Sequence, residues 1–205
     1  MSASRRLGVL AIMMVIAQPA WAHHPMGGTR PQTFLQGLLS GFGHPVIGVD
    51  HLAAIVGVGI LAALAGRSAA VVLAFSVSVI AGVSLHLSGI DLPASELFVG
   101  LTTLLIGALV ILRQSMSAGR ALLLFALAGL VHGYVLGESI VGAEASPLVA
   151  YLLGLLIMQT AIGVVVYAAV RSLARWPART TGLTVAGVLV ALAGGIATAA
   201  AAGLA

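Results

Sequence analysis

Apolar residues in this chain come in long continuous runs, not in the alternating or three-and-four spacing of half-buried elements. Six runs lie at about 46–66, 68–88, 95–113, 120–141, 147–170 and 181–203. Each is close to the length a helix needs to cross about 30 Å of hydrocarbon at about 1.5 Å per residue. Polar breaks fall at Gly66-Arg67, Gly89 to Pro93, Arg113 to Arg120, Gly142 to Pro147 and Arg171 to Arg179. The first break is tight, so the first two runs should form a helical hairpin. The pattern predicts an all-α fold, a polytopic membrane bundle with six transmembrane helices occupying residues 46–205. No polar stretch is long enough for a separate soluble domain.

The chain ahead of these runs reads differently. Arg5 and Arg6 precede a short apolar core, Leu7 to Ala17, and then Ala20-Trp21-Ala22, a small-x-small cleavage site. This is the layout of a secretory signal peptide over residues 1–22. The competing reading, a first membrane helix, requires a longer core. Cleavage after Ala22 would leave His23 as the new N-terminus on the outer side. Residues 23–45 then form a periplasmic arm, rich in Gly and Pro as far as Thr33, and a short, mildly apolar interfacial or re-entrant segment from Phe34. Glycines inside the apolar runs, such as Gly37 with Gly41 and the Gly194-Gly195 pair, are expected to bring helices close together.

Composition agrees with a bilayer as the main solvent. The chain is 60% hydrophobic and 7% charged, against about 25% charged for soluble domains. Its net charge of +4 carries no nucleic-acid signature, because the basic residues are all Arg and are scattered at the ends of the runs. Connections after the first, third and fifth runs hold Arg67, then Arg113 and Arg120, then Arg171, Arg175 and Arg179. Those after the second and fourth hold Asp91 and Glu144. The positive-inside rule therefore places both mature termini in the periplasm of a cell with an inner membrane. This matches the side to which a signal peptide delivers the N-terminus. Cysteine is absent, which removes disulfides and thiolate ligands.

Polar side chains are costly inside a membrane, roughly 2.5–3.5 kcal/mol each on insertion scales, and mark function. His44, Asp50 and His51 open the first run, and His86 lies near the end of the second. Glu96 opens the third, His132 lies in the middle of the fourth, and Glu138 follows it. In the predicted topology all seven fall between mid-bilayer and the periplasmic surface. Imidazoles and carboxylates at a shared depth form a nitrogen and oxygen ligand set, suited to Ni, Co, Zn or Fe and not to Ca or Cu(I). Pro45, directly after His44, suits a helix start. His44 and His51, seven residues apart, would share one face of a continuous helix, with Asp50 about 100° away as an orienter of an imidazole. Gly133 and Gly137 would allow local unwinding between His132 and Glu138. Duller readings stand beside these: solvation for His86 and Glu96, packing for His132, and a leader remnant for the pair His23 and His24. Met158, Gln159 and Thr160, polar or polarisable at mid-membrane, fit packing or the lining of a path.

The stretch His44-Pro45-Val46-Ile47-Gly48-Val49-Asp50-His51 resembles the HPxxGxDH signature that HupE/UreJ nickel and cobalt permeases carry in their first membrane helix. Residues Phe125 to Glu138 are similar to that family's His-Gly stretch with a following glutamate, and Glu96 and the histidines after the leader also fit. The related signature of the larger nickel–cobalt transporter family has one residue fewer before the Asp. The resemblance implies that His44, Asp50 and His51 are needed for metal passage and that His132 and Glu138 contribute. It also implies import into the cytoplasm to supply hydrogenase or urease assembly. The second motif departs from the commoner form, because Tyr134, Val135 and Leu136 stand where another histidine is usual.

The expected function is a secondary permease, not an enzyme. It would import Ni²⁺ or Co²⁺ (with Zn²⁺ admitted by the same ligands) and carry no prosthetic group. Its partners would be the bilayer, the ion and, as an open option, further copies of itself, with no nucleic acid. The metal ligands would be His44, Asp50, His51, His132, Glu138, His86, Glu96, His23 and His24. Coordinating imidazoles must be deprotonated, so uptake should fall below about pH 6.5. The alternative is an intramembrane zinc-dependent hydrolase, with Ser84, Ser88 or Ser139 assisting a zinc-activated water. A carrier of organic anions is disfavoured by the lack of an intramembrane Arg or Lys.

Overall fold

A computed structural model describes residues 30–175 and 177–204. The predicted signal peptide, His23 and His24 lie outside the described residues. Among the described residues, seven α-helices follow in order: α1 (Phe34–Ile47), α2 (Val49–Leu64), α3 (Val72–Leu87), α4 (Ser95–Ile111), α5 (Ala118–Leu136), α6 (Ala145–Ser172) and α7 (Arg179–Ala201). No strand occurs among the described residues. Each of the six predicted runs overlaps one helix from α2 to α7, with α5, α6 and α7 starting two residues earlier than predicted, and α1 is additional.

The chain is a multi-pass helical membrane protein. Among the described residues, four segments are long and apolar enough to cross a bilayer, and the bent pair of α1 and α2 makes a fifth if it is one span. Helix α4, with 17 residues, is apolar but shorter, about 26 Å at the usual rise.

The first run departs from expectation at its start. Helix α1 begins at Phe34 because Thr33 and Gln36 form a capping box: the Thr33 hydroxyl accepts from the Gln36 N–H at 3.2 Å, and the Gln36 side chain accepts from the Thr33 N–H at 3.3 Å. The helix therefore passes through Pro45, which has no N–H to offer the Gly41 carbonyl one turn back. It stops two residues beyond Pro45, at Ile47. Gly48 is extended at φ −73°, ψ 103°, and α2 leaves at 78° to α1. Residues 44–51 are thus a broken helix, and Pro45 sits inside α1 instead of opening α2.

Glycine–backbone contacts set the packing. A β-carbon at Gly129 or Gly133 of α5 would strike the Phe75 or Val79 carbonyl of α3. One at Gly37 or Gly41 of α1 would strike the Pro147 or Tyr151 carbonyl of α6, and one at Gly107 of α4 would strike Ala191 of α7. Small residues let backbones approach where lipid offers no hydrophobic drive for helix association, which is the role expected of them. Gly194 abuts Leu104, whereas nothing lies within 4 Å of a β-carbon on Gly195. Helix α2 is the buried axis: Ala54, Val58, Leu61 and Ala62 are all fully enclosed.

The two ends of the bundle differ in charge. Arg67, Arg113, Arg120, Arg171 and Arg175 are exposed at one end, where the Tyr167 hydroxyl donates to the Arg67 carbonyl at 2.7 Å. Asp91 and Glu144 are exposed at the other, together with Arg30, whose guanidinium donates to the Gly142 carbonyl at 3.1 Å. There Tyr134 pins the α3–α4 loop by donating to the Ile90 carbonyl at 3.0 Å and accepting from the Leu92 N–H at 2.9 Å.

Candidate metal-relay site

The break at Gly48 brings histidines from three helices together near the acidic end. His44 lies in the last turn of α1, His51 in the first turn of α2 and His132 in α5, and all three are buried. His51 Nδ1 stands 2.8 Å from His132 Nδ1, with ring centroids 5.0 Å apart. The His44 and His51 rings are 6.2 Å apart and nearly perpendicular. The imidazoles form a file and do not wrap around one point. Among the described residues, no group of three or more His, Asp or Glu side chains converges to hold a metal ion.

Gly48 makes this file possible. A β-carbon there would lie 2.7 Å from His51 Cδ2, so the ring rests on bare backbone. Asp50 is half-buried in the first turn of α2, where a carboxylate suits the positive end of the helix dipole. Its Oδ1 accepts from the His51 backbone N–H at 2.9 Å. Beneath His132, Phe75 closes the file with its ring 5.7 Å away.

Hydroxyl pairs flank the outer and inner imidazoles. His44 Nδ1 faces Tyr151 Oη at 3.2 Å and Ser139 Oγ at 3.3 Å. Both hydroxyls make shorter bonds to the Leu136 carbonyl, at 2.8 and 3.0 Å. His132 Nε2 faces Thr102 Oγ1 at 3.3 Å and Thr103 Oγ1 at 3.4 Å. These threonines donate to carbonyls one turn back on α4, at 2.8 Å to Phe98 and 2.9 Å to Val99. Sequence reading missed Tyr151, Thr102 and Thr103 and considered Ser139 only as a helper in hydrolysis. The available signal was weak: one Tyr and one Thr-Thr pair inside aliphatic helices.

Other predicted ligands lie elsewhere. His86 is half-buried at the end of α3, its ring 4.7 Å from that of Tyr134 and its Cβ against Gly137. Glu96, in the first turn of α4, is exposed. Glu138 is exposed on a 3₁₀ turn, Gly137–Ile140, that follows α5. Gly133 does not unwind α5, which stays α-helical to Leu136. The chain tightens only from Gly137. Ser84 and Ser88 donate to carbonyls of their own helix, Ile80 at 2.9 Å and Leu85 at 2.7 Å.

No solved structure matches this chain. Protein HupE of Rhizobium leguminosarum bv. viciae is 30% identical over 131 residues, which cover 63% of this chain. The match spans 66% of that relative, just under two thirds of its length. The HupE / UreJ protein family matches over residues 10–197, which include the broken first helix pair, all three buried histidines and most of α7. The chain belongs to the HupE/UreJ family.

Proposed function

We propose that this protein is a secondary permease that carries Ni²⁺ or Co²⁺ from the periplasm to the cytoplasm, with six crossings and both mature termini outside. The family is associated with nickel and cobalt uptake for hydrogenase and urease accessory pathways. The observation that carries the reading is the buried file of His44, His51 and His132, three borderline nitrogen donors from three helices at the acidic end of the bundle. Imidazole suits these metals better than it suits Mg²⁺ or Ca²⁺.

The flanking hydroxyls select which nitrogens are ligands. A hydroxyl has one proton. Tyr151 places its proton on the Leu136 carbonyl at 2.8 Å, and Ser139 directs its own to that carbonyl or to Tyr151 Oη, both at 3.0 Å, so oxygen lone pairs face His44 Nδ1. That nitrogen then bears the hydrogen, and Nε2 is the basic one. By the same reasoning Thr102 and Thr103 hold His132 as the Nε2–H tautomer, with Nδ1 basic toward His51. Orientation of this kind raises ligand basicity and fixes the ring. The ion passes from His44 to the His51–His132 pair, and Asp50 offsets part of its charge.

Exposed Glu96, Glu138, Asp91 and Glu144 at the entry end concentrate cations. The membrane potential supplies the drive: about 4.6 kcal/mol for a doubly charged ion at 100 mV, enough for a gradient above a thousandfold. The test is radiolabelled nickel uptake in cells making the wild type or His51→Ala at equal protein level, with cobalt and zinc as competitors. Uptake should fall to background in the variant. Equal accumulation in the two strains would remove the permease reading.

A further inference from the structure

Below the imidazoles, three buried oxygens have no hydrogen-bonding partner among the described residues: Ser76 Oγ on α3, and Gln159 Oε1 and Thr160 Oγ1 on α6. Ser76 is fully enclosed and Gln159 is 1% exposed. Unsatisfied acceptors are costly in a membrane interior, where water is scarce, and such residues persist there when something else satisfies them. Ser76 and Thr160 depart from most helical hydroxyls. Ser84, Thr102, Thr103, Thr184 and Thr198 all donate to a carbonyl of their own helix. Ser76 does not, although the same bond is open to any helical serine.

Helix register places Ser76 Oγ and Gln159 Oε1 at one level. Gly59 of α2 abuts the Gly163 carbonyl of α6, and a β-carbon on Gly163 would lie 2.5 Å from Val72 Cγ1 of α3. One turn toward the start of α6, the same register aligns Gln159 with Ile55 of α2 and with Ser76 of α3. Ile55 is one turn beyond His51. Side chains on a helix lean toward its N-terminus, so Gln159 leans back toward the imidazole file. The third oxygen, Thr160 Oγ1, belongs to a residue that lines an apolar surface groove beside Leu73 and Ile157, on a different face of α6 from Gln159.

Resting on the permease reading, we propose that Ser76 Oγ and Gln159 Oε1 form a second, oxygen-donor station for the cation, one helical turn toward the cytoplasm from His51. Neutral amide and hydroxyl oxygens bind a nickel-class ion more weakly than imidazoles do. An ion leaving His51 and His132 therefore meets a site that replaces hydration water without trapping it, as multi-site conduction requires.

The experiment compares Gln159→Met/Ser76→Ala with the wild type in nickel uptake by cells and in equilibrium nickel binding by the purified, detergent-solubilised protein. The double variant keeps side-chain volume and removes both oxygens. Expected is a fall in maximal uptake rate of about tenfold, with nickel affinity at the imidazole file unchanged. Gln159→Asn should recover part of the rate. Gln159→Glu should raise the nickel bound per protein by one, because a carboxylate turns a passing station into a holding one. Wild-type rates in the double variant, or unchanged stoichiometry in Gln159→Glu, overturn the station. Joint loss of uptake and nickel affinity in the double variant also overturns it, since Gln159 would then support the imidazoles. Loss of uptake in His51→Ala alongside any of these results leaves the permease reading standing.

Discussion

Two stretches carry the buried histidines, and they solve the same problem in opposite ways. Between His44 and His51 the chain breaks: α1 and α2 meet at 78°, and the ring of His51 lies against a glycine with no side chain to displace it. Around His132 the helix is whole, and its glycines are occupied elsewhere. Gly129 and Gly133 hold α5 against the backbone of α3. The broken stretch brings imidazoles from two helix directions side by side in one file, with ring centroids 6.2 Å apart. The intact stretch provides a fixed wall on which the third imidazole is held by Thr102 and Thr103. A glycine near a membrane histidine can thus bend the chain or tighten it, and a proline three residues earlier decides for bending here.

The largest expected effect comes from replacing the glycine in the break. Gly48→Val puts a branched side chain where a β-carbon is already 2.7 Å from His51 Cδ2. The ring must move away from His132, and nickel uptake should drop by at least an order of magnitude while the protein still inserts. Gly133→Val challenges the wall instead. Its β-carbon meets the Val79 carbonyl, so α3 and α5 must separate. The expected cost is stability, about 1–3 kcal/mol for overpacking, seen as a lower thermal midpoint in detergent and less protein in the membrane. Uptake per molecule should change little. The contrast collapses if Gly48→Val transports normally, or if Gly133→Val inserts and withstands heat like the wild type.

Next in size are the hydroxyls that orient the rings. Tyr151→Phe removes the oxygen 3.2 Å from His44 Nδ1 and keeps the aromatic volume. Loss of an outer-shell partner typically weakens a metal site by about 10–100-fold, so the nickel concentration for half-maximal uptake should rise while the maximal rate holds. Thr103→Val should behave similarly through His132, and Thr103→Ser should restore the wild-type value. If Thr103→Ser is as impaired as Thr103→Val, the methyl group matters and not the hydroxyl, which would rule out the orienting role.

Most of the fold could be read in the sequence, because bilayer thickness turns apolar length directly into helices. Each predicted run matches a helix to within a few residues at its start, and the Arg-bearing breaks gather at one end. The depth shared by His44, His51 and His132 followed from counting along those runs. The local geometry did not follow. Pro45 reads as a helix start when helix propensity alone is considered, but the Thr33–Gln36 capping box starts α1 earlier and carries the proline inside. Gly133 reads as a hinge until α3 is known to lie against it. Tyr151, Thr102 and Thr103 reach the histidines only through contacts across helices, which one sequence does not encode in any local pattern.

The smallest expected effect separates the file from its surroundings. Glu96 and Glu138 were natural ligand candidates on sequence grounds, but both are exposed at the acidic end, and neither joins the buried rings in a metal-holding group among the described residues. If they act only by drawing cations to the entrance, their influence is a long-range field. Such fields fade beyond a Debye length of about 8 Å at physiological salt and extend to about 30 Å at 0.01 M. Glu138→Gln should therefore lower the initial rate of nickel uptake by less than about twofold at physiological ionic strength, with a larger deficit when salt is reduced. A ligand would behave otherwise, because a coordinating carboxylate is not screened by bulk salt and its loss would persist at every ionic strength. A severe, salt-independent defect in Glu138→Gln would mean that the 3₁₀ turn swings its carboxylate into the path during transport. The distinction between a broken entry and a rigid wall would then have to include a moving third element.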